Sequence, residues 1–412
     1  MSEHQREHPA EHARVRDQPT GDGPLAGLLV ADFSRVLAGP LTTMTMADLG
    51  ATVIKVERPG EGDDTRSWGP PWTARSSSYF ECLNRGKHSI ALDLADPADR
   101  EVATELVRRA DVLVENFRPG VLARHGLDYD GARKLNPRLV YASISGFGSA
   151  AGADLPGYDF VAQAAGGLMS ITGAADGDPM KVGVALVDVL TGKDALIGIL
   201  AALRGRRLTG EGGHVEVSLL TSLLGGLANQ VSAFLTTGEA PVRMGNRHPS
   251  IAPYETLRCA DGLLAVAVGT DAQFRRFAEV LGLPGLAGDP RFAANADRVA
   301  HRAELAERLE DALAARGVRE WEPELAAAGI ACARVNDIPA AVELAVELGL
   351  APLLDVGDGH PPQVRSPITF SGAAPGPPLP PPDLNQHGDP IRAWLRSPGP
   401  FPDRPTPSEE KR

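Results

Sequence analysis

Cysteine is scarce in this chain, and its few thiols are scattered. The 412 residues include three cysteines, Cys82, Cys259 and Cys332, and no CxxC pair. This usage suits reduced thiols in a cytosol, so we expect a cytoplasmic protein.

An excess of positive charge and long apolar runs are also lacking. The formal net charge is −12, which gives no basic face for nucleic acid, so an anionic ligand would have to be attracted by local arginines. The longest apolar helical run, near residues 196–203, is far too short to cross a bilayer, so we expect no membrane partner.

The first 24 residues lack apolar periodicity and contain no apolar core. We therefore expect a disordered tail rather than a signal peptide. His4, His8 and His12 stand four residues apart within it, but Pro9 breaks the helix that would align them. The sequence accordingly predicts no metal site.

Short apolar stretches alternate with helical ones through the next 120 or so residues, a pattern that favours a parallel sheet covered on both faces. The predicted class is α/β, with a doubly wound, Rossmann-like large domain. Ligands of such sheets lie beyond the carboxyl ends of the strands. The predicted strands are 27–33, 51–57, 89–94, 111–117 and 139–145, and the predicted helices are 41–49 and 97–110.

The loops that follow or precede these strands carry the most distinctive residues. They are SRVLAGP at 34–40, Arg58, NRGKH at 84–88, and ENFRPG at 115–120 with Arg124 just beyond. Several cations and amides therefore fall on one edge of the predicted sheet.

One carboxylate in the middle of the chain stands out. The segment GVALVDVLTG at 183–192 places Asp188 after an apolar run and three residues before a Thr-Gly pair. An aspartate is ionised at neutral pH, with an unperturbed pKa of about 3.9, and can attack an acyl carbonyl. The competing interpretation is that Asp188 or Thr191 caps a helix over residues 194–203.

With these loops in this order, joined to Asp188, the chain resembles the class III CoA-transferases, the CaiB/BaiF-type family of formyl-CoA and carnitine-CoA transferases. The resemblance runs over residues 25–387. Its most specific parts are DFSRVLAGP, ADLGATVIKVERPG, NRGKHSIALDL, ADVLVENFRPG, the Asp188 segment and GNRHPSIAPYE at 245–255.

The resemblance implies that Asp188 is a nucleophile. CoA would move from an acyl-CoA donor, with succinyl-CoA expected by family habit, to a carboxylic acid through an aspartyl covalent intermediate. A carboxylate conserves the acyl energy better than a serine ester would, so no ATP is required. CoA is then a substrate, and no permanently bound cofactor is expected.

The resemblance also assigns the CoA contacts. Leu37 and Ala38 would flank the pantetheine, and Arg58 the adenosine phosphate, for which the planar fork of arginine is suited. Lys87, Asn116, Phe117 and Arg124 would lie along the nucleotide. For the cations the open alternative is a solvated surface charge, and for Phe117 a partly buried core position.

Later in the chain, four residues are expected at the acyl end of the site. They are Asn246, Arg247, His248 and Tyr254. Arg247 would pair with the distal carboxylate of a dicarboxylic acid such as succinate. The alternative is a loop held by its own hydrogen bonds. Leu37 stands where the formyl-CoA branch has Gln and Ser145 where it has Lys, which argues against oxalate or formate as substrate.

Three other functions remain open. An α-methylacyl-CoA racemase needs a base on each face of the carbon, but Tyr158 stands where racemases carry His, and a phenol with a pKa of about 10 is a poor base. An NAD-dependent dehydrogenase would use Glu57 for the ribose, but the first turn, SRVLAGPLT, lacks GxGxxG. The third is a non-catalytic CoA-binding protein.

The predicted domain organisation has a large domain that is interrupted by a smaller one. Beyond the first sheet, strands are expected at 213–218 and 262–268 and helices at 219–236, 272–281, 303–314 and 390–395. The resemblance implies that two chains form an interlocked homodimer.

The predicted domains are six. They are a disordered tail at 1–24, the first part of a large CoA-binding domain at 25–215, a linker helix at 216–239, a smaller α/β domain at 240–330, a return to the large domain at 331–395, and a disordered tail at 396–412.

Overall fold

The computed structural model describes residues 23–371, 378–397, 399 and 401. The proposed histidine cluster at His4, His8 and His12 and nearly all of both predicted tails lie outside these residues. Packing divides the described chain into two compact units. The first comprises the described parts of Met1–Ile144, Ala195–Glu216 and Asp355–Arg412, and the second Ser145–Asp194 with Val217–Leu354.

A six-stranded sheet forms the centre of the first unit. Its strand order is β3-β2-β1-β4-β5-β6, and the four pairs β2–β3, β1–β2, β1–β4 and β4–β5 are parallel. The order reverses direction between β1 and β4, which is where open α/β sheets bind ligands. The strands are β1 (Leu29–Asp32), β2 (Thr52–Glu57), β3 (Lys87–Ala91), β4 (Val112–Glu115), β5 (Val140–Ser145) and β6 (Gly213–Ser218).

The sheet confirms the predicted α/β class and the six strands expected in this part of the chain. The third strand begins at Lys87, two residues before its predicted start, and this shift brings the lysine into the sheet. The helices that follow are α1 (Ala38–Asp48), α2 (Ser78–Glu81), α3 (Pro97–Arg109) and α4 (Tyr129–Leu135).

The apolar core of this unit joins the sheet to its helices. Buried strand residues such as Ile54 and Leu113 cluster with Leu106 of α3 and with Trp394. The start of α3 is set locally, because the Asp96 carboxylate accepts the amides of Ala98 and Asp99 and proline occupies the first turn.

The second unit has two parts, and the first consists of short helices around the predicted nucleophile. They are α5 (Asp159–Ala165), α6 (Leu168–Ile171), the start of α7 (Leu186–Thr209), α8 (Leu219–Gly226) and α9 (Ala228–Thr237). The single helix expected over 219–236 is wrong, because the chain bends by 78° between α8 and α9. Among the described residues no single helix is both long and apolar enough to cross a membrane; α8 and α9 together meet that test by length and composition.

The other part of the second unit is a small α/β module. Its antiparallel sheet has the order β7-β8-β9, where only the middle strand was predicted. A core of Leu264, Phe274, Leu309 and Trp321 with their neighbours holds it together. The elements are β7 (Tyr254–Arg258), β8 (Leu263–Ala267), α10 (Asp271–Val280), α11 (Asn295–Ala300), α12 (Arg302–Leu313), α13 (Val318–Ala327), β9 (Ala331–Arg334) and α14 (Ile338–Glu347).

The end of the chain returns to the first unit. The two-residue strand β10 (Leu353–Leu354) is the last element of the second unit, and the first unit resumes with β11 (Gln363–Val364) and α15 (Gly388–Leu395). Ile391, Trp394 and Leu395 of α15 are buried in the first core. The division by packing falls at residues 144, 194, 216 and 354, whereas the predicted boundaries fell at 215, 239, 330 and 395, so the finer domain assignment stays a prediction.

Candidate active site

Asp188 lies in the first turn of α7, and its side chain is largely buried. The helix begins at Leu186, so the alternative in which Asp188 or Thr191 caps a helix starting at residue 194 is wrong. The Thr191 hydroxyl instead donates to the carbonyl of Val187, 2.7 Å away, inside the helix. Only 9% of Asp188 is exposed. The fold thus places a carboxylate at a helix N-terminus, where the macrodipole favours its charged form.

Asp159, the first residue of α5, holds this turn from outside. Its Oδ1 accepts the backbone N–H of Val187 at 2.8 Å and that of Asp188 at 3.2 Å. The Gln163 side chain donates from Nε2 to the other Asp159 oxygen at 2.6 Å and accepts the Val182 amide at Oε1. The sequence analysis did not predict this role of Asp159. The only sign of it in the sequence was an acidic residue next to Tyr158.

The surroundings of Asp188 change its acidity. Burial, and then repulsion from the nearby Asp159 carboxylate, raise its pKa from 3.8 to about 7. The carboxyl therefore titrates near neutrality, and its ionised form has lost most of its hydration. Such an anion is a stronger nucleophile than one in water.

The four predicted acyl-end residues form one group at the start of β7. His248 donates its amide to the Tyr254 carbonyl at 2.9 Å, and their rings lie 5.1 Å apart. Asn246 donates to the Thr256 hydroxyl at 3.0 Å. The Arg247 Nε lies 3.2 Å from the Glu255 carboxylate. Burial raises the pKa of Glu255, although the nearby arginine acts to lower it. The loop is thus held by its own hydrogen bonds, as the alternative expected, while the half-exposed Arg247 keeps donors available.

In the first unit, the loop after β1 is held over a buried set of charges. Lys55 donates to the Ser34 carbonyl and to Asp63, both at 2.9 Å. Asp63 in turn accepts the amide of Val36, which adopts a φ of 69° that β-branched residues rarely take. The strained loop leads to Leu37 and Ala38, both buried at the start of α1.

Asn116 acts on this same loop. Its Oδ1 accepts the Arg35 amide at 2.8 Å and its Nδ2 donates to the Arg35 carbonyl at 2.6 Å. Both ends of the side-chain amide are therefore occupied by backbone, which makes Asn116 a positioning residue for the loop.

Lys87 does not have the surroundings expected of a nucleotide contact or of a solvated surface charge. It is fully buried, with its ammonium 3.0 Å from Asp32, 3.0 Å from the Pro40 carbonyl and 2.9 Å from Asn84. Burial lowers its pKa to about 8, although Asp32 favours the charged form. Its bonds to Asp32, Pro40 and Asn84 assign it to the neutralisation of Asp32, and the expected nucleotide contact is not supported.

A cavity of about 230 Å³ lies at the carboxyl ends of β1, β2 and β4, and it brings Arg58 and Phe117 together. Arg58 is half-exposed and paired with Asp64 at 2.7 Å and Glu61 at 2.9 Å. Arg124 is exposed in the turn after β4. Two further lining residues, Arg35 and His125, were not among the predicted site residues.

Comparison with known proteins identifies similar sequences and a similar crystal structure. The family model for CoA-transferase family III matches residues 25–388. The chain is 47% identical to a succinate–glutarate CoA-transferase of Agrobacterium fabrum, over 71% of this chain and 74% of that protein. It is 44% identical to an acetyl-CoA:oxalate CoA-transferase of Acetobacter aceti, over 78% and 83%. A crystal structure of a CAIB/BAIF family protein from Brucella suis is 43% identical, with a TM-score of 0.82, over 91% of this chain and 100% of that one.

Proposed function

The chain belongs to CoA-transferase family III, and from this premise we propose that Asp188 carries the acyl group while CoA passes between two carboxylic acids. The observation that carries the proposal is the buried Asp188 carboxyl in the first turn of α7, with a pKa near 7.

The reaction divides into four acyl exchanges. The Asp188 carboxylate attacks the donor thioester, so that a mixed anhydride forms and CoA leaves as thiolate. The thiolate attacks the aspartyl carbonyl, giving an aspartyl-CoA thioester and releasing the donor acid. The acceptor carboxylate then attacks this thioester, so that a second anhydride forms and CoA again leaves as thiolate. Thiolate attack on the acceptor carbonyl finally gives the new acyl-CoA and restores Asp188.

Each exchange retains an activated acyl bond, so the sequence needs no ATP and no permanently bound cofactor. A dialysed, chelator-treated protein should therefore keep its full rate. Water is the competing nucleophile, and the burial of Asp188 supports the required protection from it.

The test is mass measurement of the intact protein after mixing with acyl-CoAs, with hydroxylamine added to trap the activated acid. The parent protein should gain an adduct on the peptide that contains Asp188, and Asp188→Ala should gain none. Asp194→Ala is the matched control, because this exposed acid lies on the same helix. Normal turnover by Asp188→Ala would overturn the proposal.

For the substrates, we propose succinyl-CoA as donor and dicarboxylic acids as acceptors. Relatives are named for succinate, glutarate, oxalate and mesaconate, which all carry two carboxylates. We keep oxalate among the acceptors to be tested, although Leu37 and Ser145 argue against it, because a relative is named for oxalate. Arg247, with a side chain 46% exposed, is the proposed partner of the distal carboxylate.

The substrate proposal predicts a selective defect. Arg247→Gln should raise the KM for dicarboxylic acceptors about tenfold and leave monocarboxylic acceptors unchanged, because only the former present a second anion. Arg258→Gln, an exposed arginine on β7, is the control. An equal effect on both classes of acceptor would contradict the assignment.

We further propose a cytoplasmic, interlocked homodimer. Support for a second chain comes from α9 and α14, in which no residue is buried although both are rich in apolar side chains. Ile338 is 82% exposed and Leu235 75%, and exposed apolar surfaces of this kind mark interaction sites. The three free cysteines support a reducing compartment.

Two measurements test the assembly. Light scattering should give twice the chain mass. Interlocked chains cannot separate without unfolding, so mixed tagged and untagged dimers should exchange subunits only after denaturation. Rapid exchange under native conditions would contradict interlocking.

A further inference from the structure

Side chains of α11 and α12 hold the loop that leads into β7. Arg302 donates from Nη1 to the His248 carbonyl at 3.0 Å and from Nη2 to the Pro249 carbonyl at 3.1 Å. The Asn295 side chain donates to the Ser250 carbonyl at 2.9 Å. These bonds fix the backbone of three consecutive residues, so the loop has a set geometry directly after the arginine proposed to bind the distal carboxylate.

The Arg247 side chain extends from this loop and uses only one of its nitrogens. Its Nε lies 3.2 Å from Oε2 of Glu255, and the side chain is 46% exposed. Among the described residues, none accepts a hydrogen bond from Nη1 or Nη2 of this guanidinium. These two nitrogens lie on the far side of the central carbon from Nε, and together they can donate two parallel bonds to one carboxylate. The contact with Glu255 therefore leaves this end-on face of the arginine available.

Glu255 occupies a position where an acid is costly. It is the second residue of β7 and shares the inward face of that strand with Leu257, so that its side chain is 8% exposed. Burial raises its pKa; Arg247 and Arg302 act to lower it, and Glu310 of α12 raises it further. A buried acid whose hydrogen-bonded partner is a half-exposed cation is a candidate for a functional role.

Resting on the proposed function, we propose that Glu255 is a positioning residue, which holds Arg247 in the orientation that binds the distal carboxylate of a dicarboxylic substrate. A free arginine has many rotamers, and fixing one of them during binding costs affinity. Glu255 fixes the side chain in advance through Nε and keeps Nη1 and Nη2 directed toward the substrate. Acids without a second carboxylate do not use this arginine and gain nothing from Glu255.

The geometry favours positioning over competition for the arginine. A competing carboxylate would occupy the end-on face, where the substrate would bind. Glu255 instead bonds to Nε, so the two carboxylates would lie on opposite sides of the guanidinium. Substrate binding then leaves the Glu255 bond intact, and an apolar replacement of Glu255 should weaken binding.

The test compares two variants of Glu255 with glutarate and valerate, acceptors of equal chain length with two carboxylates and one. Glu255→Met keeps the length of the side chain but removes the hydrogen-bond acceptor. It should raise the KM for glutarate about tenfold, with kcat unchanged and the KM for valerate parental. Glu255→Gln keeps an oxygen that accepts the Nε–H of Arg247, and it should stay within about twofold of the parental KM for glutarate. Glu324→Met, which removes the acid from the Arg316 pair in the same unit, is the control.

A double variant shows whether Glu255 acts through the arginine. Arg247→Gln alone should raise the KM for glutarate, and Glu255→Met in the same chain should add nothing further. Calorimetric titration with glutarate, which needs no turnover, should show the same order of affinities in the parent, the two single variants and the double variant.

Several results would overturn the inference. They are an additive defect in the double variant, an equal defect with valerate, and parental or tighter glutarate binding by Glu255→Met. A defect in Glu255→Gln as large as that in Glu255→Met would also overturn it. If Arg247→Gln binds glutarate as the parent does, the proposed substrate assignment fails as well. If Arg247→Gln is defective and Glu255→Met is not, only the role of Glu255 is wrong.

Discussion

The Asp159 carboxylate accepts the backbone amide of Asp188, with 3.2 Å between oxygen and nitrogen. Through this bond, and the 2.8 Å bond to the Val187 amide, one acid fixes the backbone that carries the other. Burial raises the pKa of Asp188, and repulsion between the two neighbouring carboxylates raises it further. The position of the proposed nucleophile and part of its acidity therefore depend on one neighbour.

Replacement of Asp159 by Asn should separate these two effects. The amide oxygen still accepts hydrogen bonds from α7, but the charge is lost, so the pKa of Asp188 falls while burial keeps it above 3.8. We expect the acidic limb of the pH profile of kcat/KM to move down by about 1 pH unit. Asp154→Asn, an exposed acid of the same unit, should leave the limb unmoved. A fall in rate without any shift would show that Asp159 acts only on structure.

Asp188 should also make stability depend on pH. Its pKa is higher in the folded chain than in the unfolded one, so the folded state binds the extra proton between about pH 4 and 7, and stability falls as pH rises through that window. Asp188→Asn removes the cost of the buried charge. It should be more stable than the parent at pH 8, by at most about 4 kcal/mol, with the difference vanishing near pH 4. Denaturant unfolding at the two pH values measures this; a difference that does not vary with pH would contradict it.

Lys87 should prove structural. Lys87→Met leaves the buried Asp32 carboxylate without its nearest cation and should cost about 3–5 kcal/mol of unfolding free energy. The double variant with Asp32→Asn should recover part of that loss, because no unpaired charge remains. A stable Lys87→Met protein with weakened CoA binding would instead restore the nucleotide contact expected from the sequence.

Asn116 should act through the loop that it holds. Asn116→Ala removes two bonds to Arg35, and we expect a loss of about 1–3 kcal/mol in stability together with a higher KM for acyl-CoA. Turnover of S-acyl-pantetheine should fall as well, because the loop leads to Leu37 and Ala38, the expected pantetheine contacts. Asn136→Ala is the control: Asn136 also donates to two backbone carbonyls, far along the chain from this loop, so it should lower stability without raising that KM.

The sequence predicted the first sheet well because each strand is a short apolar run between helices, a local pattern. It failed at Leu227, where the bend between α8 and α9 interrupts a stretch that reads as one helix. It also missed β7 and β9, since edge strands such as Ala331–Arg334 alternate weakly and depend on β8 for their hydrogen bonds.

The sequence by itself determined the α/β class, the family and the choice of Asp188, because apolar periodicity and side-chain chemistry are written locally in the order of residues. Only the tertiary structure decided that Asp188 is buried beside Asp159, that Lys87 faces Asp32, and that Asn116 holds Arg35 across 81 positions of the chain. The physical reason is that the free energy of a charge or a hydrogen bond depends on what surrounds it, and those surroundings come from distant segments.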